Sequence, residues 1–288
     1  MDAAGKIFSK RPPVGPCSEG ASAPVTGYYS AGADRFSPVR ERERKKSVRE
    51  LSIVFPSYNE AARLPGTLDS VLAFCREELD RFELIVVDDG SSDDTEAVVR
   101  EFEDVRYLRN EVNRGKGETV KRGMLAAELD TVLFSYADLS TPIEETLSLM
   151  QAIEEGADVA IGSRRFDGEK QVRRSWPRRL MAWGWRTVVH FLVLKGIHDT
   201  QCGFKMFRRG VAREVLALQR LEGWAFDVEV LFLVRRLGYS IAEVPVEWHE
   251  SGESRLGFFS PFRMALDLLR VRRLHGDLRK AEGESGES

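Results

Sequence analysis

The sequence predicts an α/β fold built on a mostly parallel sheet. Short β-branched or aromatic runs alternate with amphipathic stretches of ten or more residues, the pattern of βαβ units. Polar clusters follow directly on several of the runs, as where strand ends meet a ligand. At 288 residues the chain is long enough for one large domain or two small ones around a sizeable core.

Leu51–Phe55 reads as a strand, and Ala61–Leu79 as a helix with Leu64, Leu68, Val71, Leu72 and Cys75 on one face. Glu83–Val87 is a second strand, followed by Ser91-Ser-Asp-Asp-Thr95, a helix-start signature. Val105–Leu108 is a third strand, Gly117–Glu128 a helix, and Thr131–Tyr136 a fourth strand. Pro142 introduces a helix over Ile143–Glu155, and Asp158–Ile161 is a fifth strand. Beyond it come a long helix near Arg178–Leu194, a strand near Phe204–Phe207, and helices near 209–218 and 226–237. A strand through Ala242–Val246 and a last helix near Pro261–Leu274 complete the pattern.

Residues 1–47 are rich in Gly, Pro, Ser and Ala and end in the charge run from Arg40 to Lys46. They bury too little apolar surface to offset their ordering entropy and read as disordered, as does the 277–288 tail. The main domain is then 48–250, with a basic and aromatic helical element at 251–276 packing on it. Forty-three Lys and Arg against 46 Asp and Glu leave a charge of −3, which argues against a nucleic-acid binder. The balance is uneven: residues 164–186 carry eight basic and two acidic side chains, and residues 255–280 carry seven and two.

No apolar run near the N-terminus suits a signal peptide, and none reaches the roughly 18 residues of a transmembrane helix. The nearest stretch, Leu180–Ile197, is interrupted by Arg186, His190 and Lys195. Cys17, Cys75 and Cys202 have no zinc spacing and an odd count, which suits a reducing, cytoplasmic setting without disulfides.

The first strand exits into Pro56-Ser-Tyr-Asn-Glu60, the second into Asp88-Asp-Gly-Ser91, the fourth into Tyr136-Ala-Asp138 and the fifth into Gly162-Ser-Arg164. Each alone is an ordinary turn or cap. Four such exits among the first five strands point to a ligand edge. No Walker loop or G-x-G-x-x-G follows the first strand, against ATPases and nicotinamide enzymes. Carboxylates at strand ends suit a base, a ribose and a divalent cation beside a diphosphate. Asn113-Arg-Gly-Lys-Gly117 adds an ammonium near a helix start, a phosphate neighbour.

These residues resemble the family 2 glycosyltransferases of the GT-A fold, and most of all the dolichyl (polyprenyl) phosphate glucosyl- and mannosyltransferases. The resemblance rests on Phe55–Glu60, Val87–Asp93, Asn113–Gly117, Ala137–Pro142 and Gly162–Arg164, with Asp199–Lys205 and Trp224–Glu229 further on. The last two segments are the most specific and lean toward the glucosyl branch. The resemblance implies a Rossmann-like three-layer sandwich and a nucleotide-sugar donor. It places Pro56, Tyr58 and Glu60 at the base and ribose, with Asp89 and Asp88 on the uracil. Lys116 would lie by the nucleotide, and Asp138 would bind Mg²⁺ or Mn²⁺ at the diphosphate. Arg164, Arg174 and Arg178 would hold an acceptor phosphate, with Lys205, Trp224, Asp227 and Glu229 shaping the sugar and acceptor pocket.

The family's D-x-D motif reads Tyr136-Ala137-Asp138 here, so one of its two carboxylates is missing. Three readings stay open on these residues. The first is inverting transfer of a hexose, glucose in the glucosyl branch, from UDP-glucose to a polyprenyl phosphate at the cytoplasmic face of a membrane. The second is transfer to a glycan or soluble acceptor, and the third a nucleotide-sugar-binding homologue with impaired turnover. A phosphate monoester is already anionic near neutral pH, its second pKa being about 6, so a strong base is not demanded. Asp227 is the carboxylate for that role if one is used. Trp176, Trp183 and Trp185 among the arginines, and Phe258, Phe259 and Phe262 beside Arg263, have the composition of a peripheral membrane contact. His190, His198, His249 and His275 lack ligand spacing, and neither Cys75 nor Cys202 has an activating partner.

Overall fold

The computed structural model describes residues 48–164, 196–223, 225–249 and 270–276. The expectations for both termini, the Arg178–Leu194 helix, Arg174, Arg178, Trp224 and the clustered tryptophans and phenylalanines lie outside the described residues. The elements are β1 (Glu50–Ser57), α1 (Leu64–Glu78), β2 (Arg81–Asp88), α2 (Thr95–Val99), β3 (Val105–Arg109), α3 (Lys116–Ala126) and β4 (Thr131–Phe134). Then come α4 (Thr146–Glu154), entered through a 3₁₀ turn at Ile143–Glu145, β5 (Val159–Ser163), β6 (Lys205–Arg208), α5 (Arg209–Leu218), α6 (Phe226–Arg236) and β7 (Ile241–Pro245). A further helical stretch covers residues 270–274.

The strands form one seven-stranded sheet in the order β3-β2-β1-β4-β6-β5-β7. All neighbours run parallel except β6, which is antiparallel to both β4 and β5. Both faces are covered, so the central strands are apolar on successive residues rather than alternately. In β1, Val54 packs into one core, while Leu51, Ile53 and Phe55 pack into the other. The first core joins α3, α5, α6 and Val271; the second joins α1, α4 and Val99 of α2. The mostly parallel sheet is the one that the alternation of runs predicts, and its three layers match the Rossmann-like GT-A sandwich that the resemblance implies. Phe55, Phe134, Phe204 and Phe207 are fully buried, each contributing on the order of 1.5–3 kcal/mol.

Helix α3 lies unusually close to the sheet. A Cβ on Gly123 would sit 2.3 Å from Val54 Cγ1 and 2.7 Å from Val87 Cγ2, so only glycine permits this approach. The approach carries the start of α3, and Lys116 with it, to the exits of β1 and β2. Most boundaries shift by one to three residues, and two of the shifts have a visible cause. The predicted helix from Ala61 begins at Leu64, because the amides of Arg63 and Leu64 both bond the Glu60 carbonyl and Pro65 opens the first turn. The fourth strand stops at Phe134: Ser135 still bonds the Val54 carbonyl, then the chain turns through Leu139, whose φ is 43°.

The antiparallel run of β6 has a functional consequence. It pairs Lys205, its first residue, with Phe134 at the end of β4 and with Ile161 near the end of β5. The start of β6 therefore reaches the same edge as the carboxyl ends of the parallel strands. Among the described residues no helix is long and apolar enough to cross a membrane. Cys75 and Cys202 are free, buried thiols; burial pushes Cys75 up to about 12 and raises Cys202 as well.

Candidate active site

At the β1–β2 end the exit loops bind one another. Asp88 is fully buried; its Oδ1 accepts from the Ser91 amide at 2.8 Å and hydroxyl at 2.5 Å, and its Oδ2 from the Tyr107 hydroxyl at 2.6 Å. Asp89 accepts from Asn110 Nδ2 at 2.8 Å and from the amides of Arg114 and Gly115 at 2.8 and 2.9 Å. It thereby fixes the loop that leads into Lys116. Gly115 has φ 95°, and a Cβ there would lie 2.8 Å from the Glu222 carbonyl oxygen, so glycine is required on both counts. Asn59 accepts the Ser92 amide, and Glu60 pairs with Arg63 at 2.6 Å. Tyr58 stands 40% exposed at the rim, with Pro56 and Glu60 half-buried beside it.

The β4–β6 end gathers charge. Lys205 is completely buried at the start of β6; its Nζ donates to Asp227 Oδ1 and to the Cys202 carbonyl, both at 2.5 Å. Asp227, in the first turn of α6, also accepts the Tyr136 hydroxyl at Oδ2, at 3.4 Å. Burial and the Asp227 carboxylate raise the Tyr136 phenol well above its ordinary value, so it stays a neutral donor. Lys116 Nζ lies 3.0 Å from the centroid of the Tyr136 ring. Burial lowers this ammonium to about 7, against the opposing pull of Asp227 and Asp138. Asp138 is half-buried, and its Oδ1 accepts the Ser140 amide at 3.0 Å.

Arg164, at the exit of β5, is held bidentately by Asp199, with Nε to Oδ2 at 2.6 Å and Nη2 to Oδ1 at 2.8 Å. Burial alone would lower the guanidinium; the Asp199 carboxylate more than offsets it and raises it. Trp248 stands 5.6 Å from this guanidinium.

The structure thus brings Lys116, Asp138, Lys205 and Asp227 to one edge, with Arg164 beside them through the 199–205 segment. Glu229 is not among them. It is fully buried two residues further along, on the other side of the first turn of α6, and accepts the amides of Arg220 and Leu221 at 3.0 and 2.7 Å and bonds His275 Nε2 at 2.7 Å. It ties the 220–223 turn to the last helical stretch, and that turn abuts Gly115 and Gly117.

Three participants were not singled out from the sequence. Asp199 is the partner of Arg164, Asn110 braces Asp89, and Gly203 lies flat against the Tyr136 ring. The available signal for two of them was position inside the Asp199–Lys205 segment. Among the described residues no group of three His, Cys, Asp or Glu side chains is arranged to hold a metal ion. The single hard carboxylate of Asp138 suits a cation that arrives with a diphosphate and keeps water and phosphate oxygens as its other ligands.

The family model for glycosyl transferase family 2 matches residues 52–216. The dolichyl-phosphate beta-glucosyltransferase of Dictyostelium discoideum is 38% identical over 240 residues, which cover 77% of this chain and 73% of that protein. The human protein of the same name is 36% identical over 243 residues, 78% of this chain and 75% of its own. In fold, the chain is similar to glucosyl-3-phosphoglycerate synthase from Mycobacterium tuberculosis, solved with Mn²⁺, UDP-glucose and phosphoglyceric acid. That likeness has a TM-score of 0.58 at 23% identity, covering 79% of this chain and 80% of that one. The sheet topology, the edge where the motif residues meet and these likenesses agree: the chain belongs to glycosyl transferase family 2 and is a nucleotide-sugar-dependent glycosyltransferase of the GT-A type.

Proposed function

We propose that this glycosyltransferase moves glucose from UDP-glucose to a polyprenyl (dolichyl) phosphate at a membrane surface, with inversion at C1. The likeness to dolichyl-phosphate beta-glucosyltransferases over most of both chains supports the choice of donor and acceptor. The observation that carries the reaction is the meeting of Lys116, Asp138, Asp227 and Lys205 around Tyr136 at the strand exits.

Pro56, Tyr58 and Glu60 line the base and ribose, the exposed Tyr58 ring offering an apolar face to the uracil. Asp89 and the loop it holds frame the base, and Asp88 supports that frame from behind through Ser91. Lys116 sits beside the diphosphate. Asp138 would hold Mg²⁺ or Mn²⁺, which when bound takes up charge on the leaving diphosphate. Asp227 Oδ1 is committed to Lys205, whereas Oδ2 accepts the long Tyr136 contact among the described residues, so Oδ2 is the atom assigned to a sugar hydroxyl. The acceptor oxygen needs no base from the protein, being ionised near neutral pH. Arg164, oriented by Asp199, is assigned to the acceptor phosphate, a role the motif resemblance also gives to Arg174 and Arg178 outside the described residues, and Lys205 braces Asp227 in the same pocket. Glu229 bears on the sugar and acceptor pocket by holding the 220–223 turn; Trp224, outside the described residues, is assigned to that pocket by the motif it stands in.

The test is to incubate the protein with UDP-glucose, GDP-mannose and other nucleotide sugars, a short polyprenyl phosphate and Mn²⁺, and to identify the nucleotide released. UDP release that depends on the lipid phosphate, with an inverted glucosyl product, is the expected result. Release that follows a soluble acceptor such as phosphoglycerate, and not the lipid, would overturn the acceptor. Co-sedimentation with anionic liposomes, lost as salt rises, tests the peripheral membrane contact. About 1 kcal/mol per basic residue near the surface makes it readily visible.

A further inference from the structure

We infer that Tyr136 is a positioning residue that holds the Lys116 ammonium by its ring face at the donor diphosphate site without itself neutralising it, as a carboxylate at this position would. The inference rests on the donor-site reading above and deepens it.

Three contacts build Tyr136 into the site. On one side lies Gly203: a Cβ there would fall 1.9 Å from Tyr136 Cε2, 2.2 Å from Cζ and 2.3 Å from Cδ2, so the ring fits only against a glycine. Lys116 Nζ sits 3.0 Å from the ring centroid. The hydroxyl donates to Asp227 Oδ2 at 3.4 Å, while the other oxygen of Asp227 is held by Lys205 at 2.5 Å. The ring is thus a spacer with a cation on its face and the buried ion pair at its tip.

The choice of a ring rather than a carboxylate changes the charge of the site. An aspartate at 136 would pair with Lys116, cancel its charge, and add a third carboxylate beside Asp138 and Asp227. That arrangement calls for a divalent cation before an anionic diphosphate can enter. A π face attracts the ammonium through its quadrupole and carries no net charge, so the positive charge survives the contact. Tyr136-Ala137-Asp138 is on this reading a working variant of the motif, one that draws part of its positive charge from a side chain.

The experiment is calorimetric titration of UDP into the full chain, in EDTA and with Mn²⁺. The unsubstituted protein, Tyr136→Phe, Tyr136→Leu, Tyr136→Asp, Lys116→Ala and the Tyr136→Leu/Lys116→Ala double variant are compared. The unsubstituted protein is expected to bind UDP in EDTA. Tyr136→Asp should lose about tenfold or more there and recover most of it with Mn²⁺. Tyr136→Leu, neutral and without a π face, should lose affinity in EDTA without that recovery, and serves if the aspartate variant does not fold. Tyr136→Phe should lose less than about threefold, and the double variant should bind no more weakly than Lys116→Ala alone. Undiminished UDP binding by Tyr136→Asp or Tyr136→Leu in EDTA, or additive losses in the double variant, would overturn the inference. Binding by the unsubstituted protein only with Mn²⁺ would also overturn it, while leaving the donor site intact. No binding of UDP or GDP under either condition would overturn the donor-site reading itself, and the inference with it.

Discussion

The two ends of the strand-exit edge are built on opposite plans. Around β1 and β2 the carboxylates are tied mainly by short hydrogen bonds to the exit loops and β3, Asp88 to Ser91 and Tyr107 with Arg109 at 3.5 Å, and Asp89 to Asn110 and the amides of Arg114 and Gly115. Around β4 and β6 charge meets charge, with Lys205 on Asp227, Lys116 over Tyr136, and Asp138 half-buried alongside. The first plan makes a stiff frame that a base can be set against. The second leaves charges balanced within the protein but able to redistribute when an anionic ligand arrives. A hydrogen-bonded loop gains shape, and a charge cluster gains responsiveness.

The sharpest way to break the comparison is Lys205→Met. It strands Asp227 as a buried uncompensated charge and should cost about 3–5 kcal/mol in chemical denaturation. Lys205→Met/Asp227→Leu should recover most of that loss, because replacing both members of a buried pair by apolar groups is close to neutral. A single variant as stable as the parent would show that the pair is solvated and that the charge cluster is not a low-dielectric one.

Asp138→Ala should lower kcat about 100- to 1000-fold in the nucleotide-release assay, as expected when one electrostatic contributor at a developing charge is removed. On the stiff side, Asp89→Asn keeps the shape but turns acceptors of two amides into a group that also carries donors. It should cost about 1–3 kcal/mol of stability and weaken UDP binding by loosening the 110–115 loop. A loss of UDP affinity with no loss of stability would reassign Asp89 to direct contact with the base.

The smallest effect is the one with a pH signature. Burial lowers the Lys116 ammonium from its ordinary value to about 7. An anionic diphosphate favours the charged form, so UDP binding should draw a proton from solution, and affinity should fall as pH rises from about 7 toward about 9. The same depressed lysine binds fewer protons folded than unfolded above about 7, so its contribution to stability increases with pH over that window. Calorimetry in buffers of different ionisation enthalpy reads the proton uptake directly. A binding enthalpy independent of buffer would show that Lys116 does not change protonation on binding.

Much of the fold was legible because hydrophobic period and strand length are local properties. The parallel half from β1 to β5 follows from runs such as Leu51–Phe55 and Glu83–Val87, each separated from the next by a helix-forming stretch. The antiparallel placement of β6 was not legible, since Lys205–Arg208 reads as a strand whichever way it runs. Candidate residues were legible in the same uneven way. Lys116, Asp138 and Asp227 stand in recognisable segments and meet at the edge. Glu229 stands in an equally recognisable segment, yet lies on the other side of α6 from Asp227 and serves the 220–223 turn and His275. Arg164 was legible as a cation at a strand exit; that Asp199 grips it from 35 positions downstream was not.

Sequence alone determined the α/β class, the edge where the chemistry gathers and the family, because each is written in local patterns of polarity and in short motifs. Only the tertiary structure decided what surrounds Tyr136. Read in sequence, it is a missing carboxylate. In space, β4 sets it beside Gly203 of the segment entering β6, under Lys116 of α3 and against Asp227 of α6. The physical reason is that a side chain's charge environment is set by neighbours far away in sequence. The antiparallel β6 and the glycine-tight approach of α3 are what bring those neighbours together.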